Sequence, residues 1–225
     1  MVDVVLFEFE GVIAETRERR TAALRRSLAD DGIVVSDDEI AQCWRALPSR
    51  AAAAALLERR GDRADEVMLD LIALRADRYF GEDASNGLTL VPGARECVAR
   101  LEGSARLGIV TRASRRDVDR TLALADLGFA FECIVTSDEM LEQKPSPVGY
   151  ERALERLSRR GEVHRESVIA LEDGPAGIRA ARAAGIRCVA VGSIAAEVAM
   201  DADGYIRTLE HVTLERLREL GGARR

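Results

Sequence analysis

The sequence predicts an α/β fold of the doubly wound type, a parallel sheet wrapped by helices, and three observations carry the expectation. Short apolar runs of strand length alternate with amphipathic stretches of helical period. Acidic, hydroxyl and ammonium side chains stand just after those runs, where open α/β sheets bind their ligands. At 225 residues and 47% hydrophobic content, the chain can bury a full core as one domain, or as one domain carrying an insertion.

The first strand is expected over 2–9. Val4-Val5-Leu6-Phe7 leads into Glu8-Phe9-Glu10-Gly11, so two carboxylates at alternate positions point to one side and a glycine gives a sharp exit. Further strands are expected over 107–111, 133–136, 168–171, 188–191 and 205–206, with helices over 94–101, 115–125, 148–160, 176–184 and 214–220. From about residue 15 to 87 the alternation stops. Only amphipathic helical pattern remains there, over 16–29, 37–47, 50–60 and 64–80. Ser36 and Glu39 have the residue types of a helix start, and the run Ala51 to Ala55 reads as a tightly packed helix.

Composition excludes several classes. The formal charge of −6 and the lack of an aromatic-interleaved basic patch argue against a nucleic-acid binder. The pairs Arg19-Arg20, Arg25-Arg26, Arg59-Arg60 and Arg159-Arg160 alternate with acids and read as solvated helix faces. No apolar run has a bilayer-spanning length and the start lacks a signal-peptide pattern, so a cytoplasmic protein without a membrane partner is expected. Cys43, Cys97, Cys133 and Cys188 are scattered and only two histidines accompany them, which favours buried thiols over zinc ligation or disulfides.

Three later segments complete a constellation. Thr111 ends a strand and is followed by Arg112-Ala113-Ser114, where a hydroxyl and successive backbone N–H groups can hold phosphate oxygens. Lys144 stands in Gln143-Lys144-Pro145-Ser146-Pro147, whose prolines fix local φ and keep the lysine out of a helix. Glu172-Asp173 end the run from Val168 and precede a turn into an Ala-rich helix closed by Gly185. Such a pair suits an oxygen-ligand site for Mg²⁺, or a helix start whose carboxylates complement the macrodipole.

In order and spacing these four segments resemble the motifs of the haloacid dehalogenase (HAD) superfamily of phosphohydrolases. The first is similar to D-x-D-G-V/T followed by an acidic-Thr pair, here Glu15-Thr16; the third to K-P-x-P; the fourth to E-D-S-x-x-G. This chain departs from the pattern with Glu8 and Glu10 for the two aspartates, Gln143 for a common glycine and Gly174 for serine.

The resemblance implies a HAD-like (Rossmannoid) core over 1–14 and 88–225, with an inserted α-helical cap over 15–87 that Val91-Pro92-Gly93 closes, as in the phosphoglycolate phosphatase and β-phosphoglucomutase-like subgroup. It implies Glu8 as nucleophile, Glu10 as general acid/base, and Thr111 and Lys144 holding the phosphoryl group with Gly11, Arg112 and Ser114 beside it. It implies Mg²⁺ as cofactor on Glu8, Glu10 and Asp173, with Glu172 acting through water. Arg50 resembles a cap arginine that meets the substrate's distal groups, or is a plain helix-start arginine; Arg20 stands where the mutase branch has histidine. Both favour an acidic, small phosphorylated metabolite as partner, for a monomer or weak homodimer.

Each added methylene moves a carboxylate by about 1 Å, and misplacement on that scale costs on the order of 10²-fold in rate. A slow phosphohydrolase is thus one expectation, and a metal-competent but catalytically silent binding or regulatory protein is the other.

Overall fold

The computed structural model describes residues 2–36, 38–40, 49–83 and 87–221. The chain divides into two compact units, one of residues 16–86 and one of residues 1–15 with 87–225.

The first unit is helical: α1 (Arg17–Ala29), α2 (Ser49–Arg60) and α3 (Glu66–Asp83). Leu24, Leu28, Leu56, Leu57 and Ile72 recur at helical spacing and are buried together, with Ala52 and Ala53 letting the backbones approach closely. The Ser27 hydroxyl donates to the Ile72 carbonyl at 2.8 Å. Ser36 and Glu39 form a reciprocal capping box: the Ser36 amide donates to Glu39 Oε2 at 2.8 Å and the Glu39 amide to Ser36 Oγ at 3.3 Å. Apart from residues 38–40, the helix expected over 37–47, with Cys43, lies outside the described residues.

The second unit is α/β. Its sheet contains β1 (Val4–Phe7), β4 (Arg106–Val110), β5 (Cys133–Val135), β6 (Val168–Glu172), β7 (Arg187–Val191) and β8 (Gly204–Ile206). The order is β5-β4-β1-β6-β7-β8 and every pairing is parallel. All four residues of β1 are buried, as a strand covered on both faces requires. Val4 and Leu6 join a core with Tyr150, Leu157 and Ile178, and Phe7, pointing the other way, meets Phe131 edge-on at 5.9 Å between ring centroids.

Between β2 (Ala14–Glu15) and β3 (Thr89–Leu90) runs a two-residue antiparallel ribbon, too short to carry a period in the sequence. The helices are α4 (Ala94–Leu101), α5 (Arg115–Leu124), α6 (Val148–Ser158), α7 (Pro175–Ala183), the single turn α8 (Ala196–Ala199) and α9 (Leu214–Gly221). Among the described residues no helix is long and apolar enough to cross a membrane. Cys97, Cys133 and Cys188 are buried free thiols, and burial pushes the Cys97 thiol up to about 11.

Because β1 lies between β4 and β6, the chain reverses its direction of progress across the sheet there. Residues that follow these three strands therefore share one mouth at their carboxyl ends.

Candidate active site

Glu8 is the first residue after β1, and its amide still donates to the Leu171 carbonyl at 2.9 Å, which fixes the backbone against β6. Its side chain curls back over the following peptides. Oε1 accepts the Phe9 amide at 2.8 Å, the Glu10 amide at 3.2 Å and the Thr111 hydroxyl, while Oε2 takes the Lys144 ammonium at 2.5 Å. Thr111 follows β4, is fully buried, and accepts the Ala113 amide on the same oxygen at 3.1 Å.

The Lys144 ammonium, whose side chain is 2% exposed, has three acceptors for its three N–H bonds: Glu8, Glu172 Oε1 at 2.6 Å and the Val110 carbonyl at 2.6 Å. Glu172 ends β6 and also receives the Tyr150 hydroxyl from α6. Sequence reasoning missed Tyr150. It lies among the core positions of its helix, and only its six-residue distance from Lys144 could have drawn notice.

Two glycines make room for acids. Gly177 in α7 lies under Glu172, where an added Cβ would fall 1.9 Å from Oε2. Gly11, at φ +76°, lies under Asp173, whose Oδ2 would be 2.1 Å from such a Cβ. At Gly11 the left-handed backbone and the close carboxylate both require glycine.

One ammonium cannot neutralise two buried carboxylates. Burial alone would lower Lys144, yet Glu172 and Glu8 beside it hold its ammonium above the usual lysine value. Burial alone would raise Glu8, and the Lys144 charge with the Lys144 and Thr111 hydrogen bonds brings it below the usual carboxylate value; the Arg112 charge adds to this. Glu172 ends up raised, by burial and by the Glu8 charge, against the pull of Lys144. Asp173 is held well above the usual value by burial and by the charges of Glu8, Glu172 and Glu10.

The remaining expected residues lie as follows. Ser114 is the N-cap of α5 and accepts the Asp117 amide at 3.2 Å. In the helical unit, the Arg50 guanidinium donates to Asp70 at 2.6 Å and to Glu66, and these carboxylates raise its pKa. Arg20 lies 3.7 Å from Asp77, with its guanidinium 4.0 Å over the Phe80 ring. Leu47 and Pro48 of the expected cap segment are outside the described residues.

For a cation, the donors fit in kind. They are all oxygen, as Mg²⁺ demands, and the Asp173 carboxylate sits among the like charges of Glu8, Glu172 and Glu10. Among the described residues, no three His, Cys, Asp or Glu side chains form a ready metal-holding group.

A doubly wound sheet with one acid after β1, two at the end of β6, a hydroxyl after β4 and a buried lysine joined to Glu8 and Glu172 defines a phosphoryl-transfer class of site. A family model for haloacid dehalogenase-like hydrolases matches residues 5–191, and the chain belongs to that family. It is 32% identical to Protein CbbY of Rhodobacter capsulatus over 192 residues, covering 82% of this chain and 83% of that one. It is 28% identical to validoxylamine A 7'-phosphate phosphatase of Streptomyces hygroscopicus subsp. limoneus over 215 residues, covering 94% and 96% of the two. The crystal structure of a mutant CbbY from Rhodobacter sphaeroides with xylulose-(1,5)bisphosphate superposes with a TM-score of 0.75 at 25% identity, covering 96% of this chain and 98% of that one.

Proposed function

We propose that the chain is a Mg²⁺-dependent phosphohydrolase acting on a small, acidic phosphomonoester, with Glu8 as nucleophile and Glu10 as general acid/base. One observation carries the reading. Side chains from segments far apart in sequence meet at one mouth, with Glu8 hydrogen-bonded to Thr111 and Lys144 and Lys144 joined to Glu172. The phosphate phosphatase and the sugar bisphosphate named among the relatives support the substrate class.

In this reading a Glu8 oxygen attacks phosphorus in line, the bond to the leaving oxygen breaks, and Glu10 gives that oxygen its proton. Water then attacks the acyl phosphate while Glu10 takes its proton, releasing phosphate and restoring Glu8. Lys144 and Thr111 hold the phosphoryl oxygens, with Gly11, Arg112 and Ser114 beside them. Glu8, the Glu10 carbonyl and Asp173 would hold Mg²⁺, with Glu172 acting through water. The ion, when bound, supplies charge neutralisation at the phosphoryl group. The helical unit serves as cap, with Arg50 and Arg20 as its candidates for recognising the substrate's distal groups and a plain helix-start arginine as the alternative role of Arg50, in a cytoplasmic monomer or weak homodimer.

A second reading, a metal-competent but silent protein, is favoured by the Glu8 carboxylate's full set of hydrogen bonds. Hydrolysis of p-nitrophenyl phosphate with Mg²⁺ separates the two. Wild type is expected to be slow, Glu8→Ala inactive, and the Glu8→Asp/Glu10→Asp variant on the order of 10²-fold faster than wild type. A rate unchanged in Glu8→Ala refutes the enzymatic reading.

A further inference from the structure

Four donors converge on Glu8: the Phe9 and Glu10 amides, the Thr111 hydroxyl and the Lys144 ammonium. Two backbone amides, a hydroxyl and a buried ammonium are the set that cradles an oxyanion, and here the chain's own carboxylate takes them all. Glu8 takes them with a side chain one methylene longer than an aspartate's. Its side chain folds back onto the peptide that follows it, whereas an aspartate carboxylate would be retracted by about 1 Å, one C–C bond's advance along the chain.

We infer that the Glu8 carboxylate is a built-in ligand of the phosphoryl pocket, occupying it in the resting protein so that a phosphate group binds only after Glu8 has swung out. The inference rests on the phosphohydrolase reading above and adds the regulation of that site.

The surrounding groups are arranged for such an exchange. When Glu8 leaves, Lys144 keeps Glu172 and the Val110 carbonyl, so its buried charge stays paired. Thr111 and the two amides are then free to receive phosphate oxygens. Glu8 returning to the same donors expels the anion. Apparent affinity scales with the fraction of open pockets, so a side chain lodged in about 99% of molecules weakens phosphate binding about 100-fold.

The test is titration calorimetry of inorganic phosphate into the full chain with MgCl₂, for wild type, Glu8→Ala, Glu8→Asp and Glu8→Ala/Thr111→Val. Glu8→Ala is expected to bind phosphate at least about tenfold more tightly than wild type, and adding Thr111→Val should remove that gain. Glu8→Asp should gain in the same direction, and it decides the matter if Glu8→Ala does not fold. Equal affinity in wild type and the Glu8 variants overturns self-occupation and leaves the phosphohydrolase reading standing. No phosphate binding in any variant overturns both, since the four donors would then not form an anion site.

Discussion

Gly177→Ala turns the packing around Glu172 into a measurable sign. A Cβ at residue 177 would lie 1.9 Å from Glu172 Oε2, 2.0 Å from its carboxyl carbon and 2.3 Å from Oε1, so the carboxylate must move. Glu172 is 1% exposed and held by the Lys144 ammonium and the Tyr150 hydroxyl, so it cannot turn aside without breaking those bonds. Overpacking of this kind costs about 1–3 kcal/mol. Loss of one charged hydrogen bond adds about 1.5–3 kcal/mol. Against this, alanine in a helix interior gains about 0.5–1 kcal/mol over glycine. The net expectation is a loss of about 1.5–5.5 kcal/mol, which at about 2–4 °C per kcal/mol for a chain of this size is a clear fall in Tm. In a Glu172→Ala background the obstacle is gone and Lys144 retains Glu8, so Gly177→Ala should stabilise by about 0.5–1 kcal/mol. Urea unfolding followed by far-UV circular dichroism of the four proteins completes the cycle. Gly177→Ala that is neutral in the wild-type background, or of the same sign in both backgrounds, refutes the placement of Glu172.

Two further outcomes follow from the charges. Lys144→Met leaves Glu8 and Glu172 buried without their cation and should cost about 3–5 kcal/mol at pH 7, read as a lower urea midpoint. In wild type, Glu8 has a folded pKa below 4.5, so its stabilising share is complete above that pH and is lost as pH falls through the folded value. Lys144, raised above 10.5, contributes below that pH and is lost as pH rises through its own folded value. The Lys144→Met variant should instead gain stability on acidification from neutral pH, and a parallel pH profile would disprove the coupling. Asp173 has a raised folded pKa, so its ionised form costs stability at pH above that value and protonation relieves the cost. Mg²⁺ at about 100 times its Kd should stabilise wild type by about 2.7 kcal/mol at pH 8. The Tm increment should shrink toward acid and vanish in Asp173→Asn; an increment that survives in that variant places the ion elsewhere.

Much of the α/β unit was legible because its strands are buried. Val4 to Phe7 and Val168 to Leu171 must be apolar without interruption when helices cover both faces, and such runs are visible in one dimension. The β2–β3 ribbon was not, because two residues on each side define no period. At the site, the residue types of Glu8, Thr111, Lys144 and Glu172-Asp173 could be read from their positions after strands and between prolines. Their partners could not. Tyr150 meets Glu172 across 22 residues of chain, and Lys144 meets Glu8 across 136. Arg50 illustrates the same limit, since its pairing with Glu66 and Asp70 depends on how α2 packs on α3.

By itself, the sequence determined the alternation of strand and helix and the chemical types gathered after the strands, because burial periodicity and local turn chemistry are written residue by residue. Only the tertiary structure decided what the longer glutamate at position 8 does. Which donors a carboxylate reaches depends on one carbon–carbon bond and on where three other segments end, and those are distances that no spacing along the chain contains.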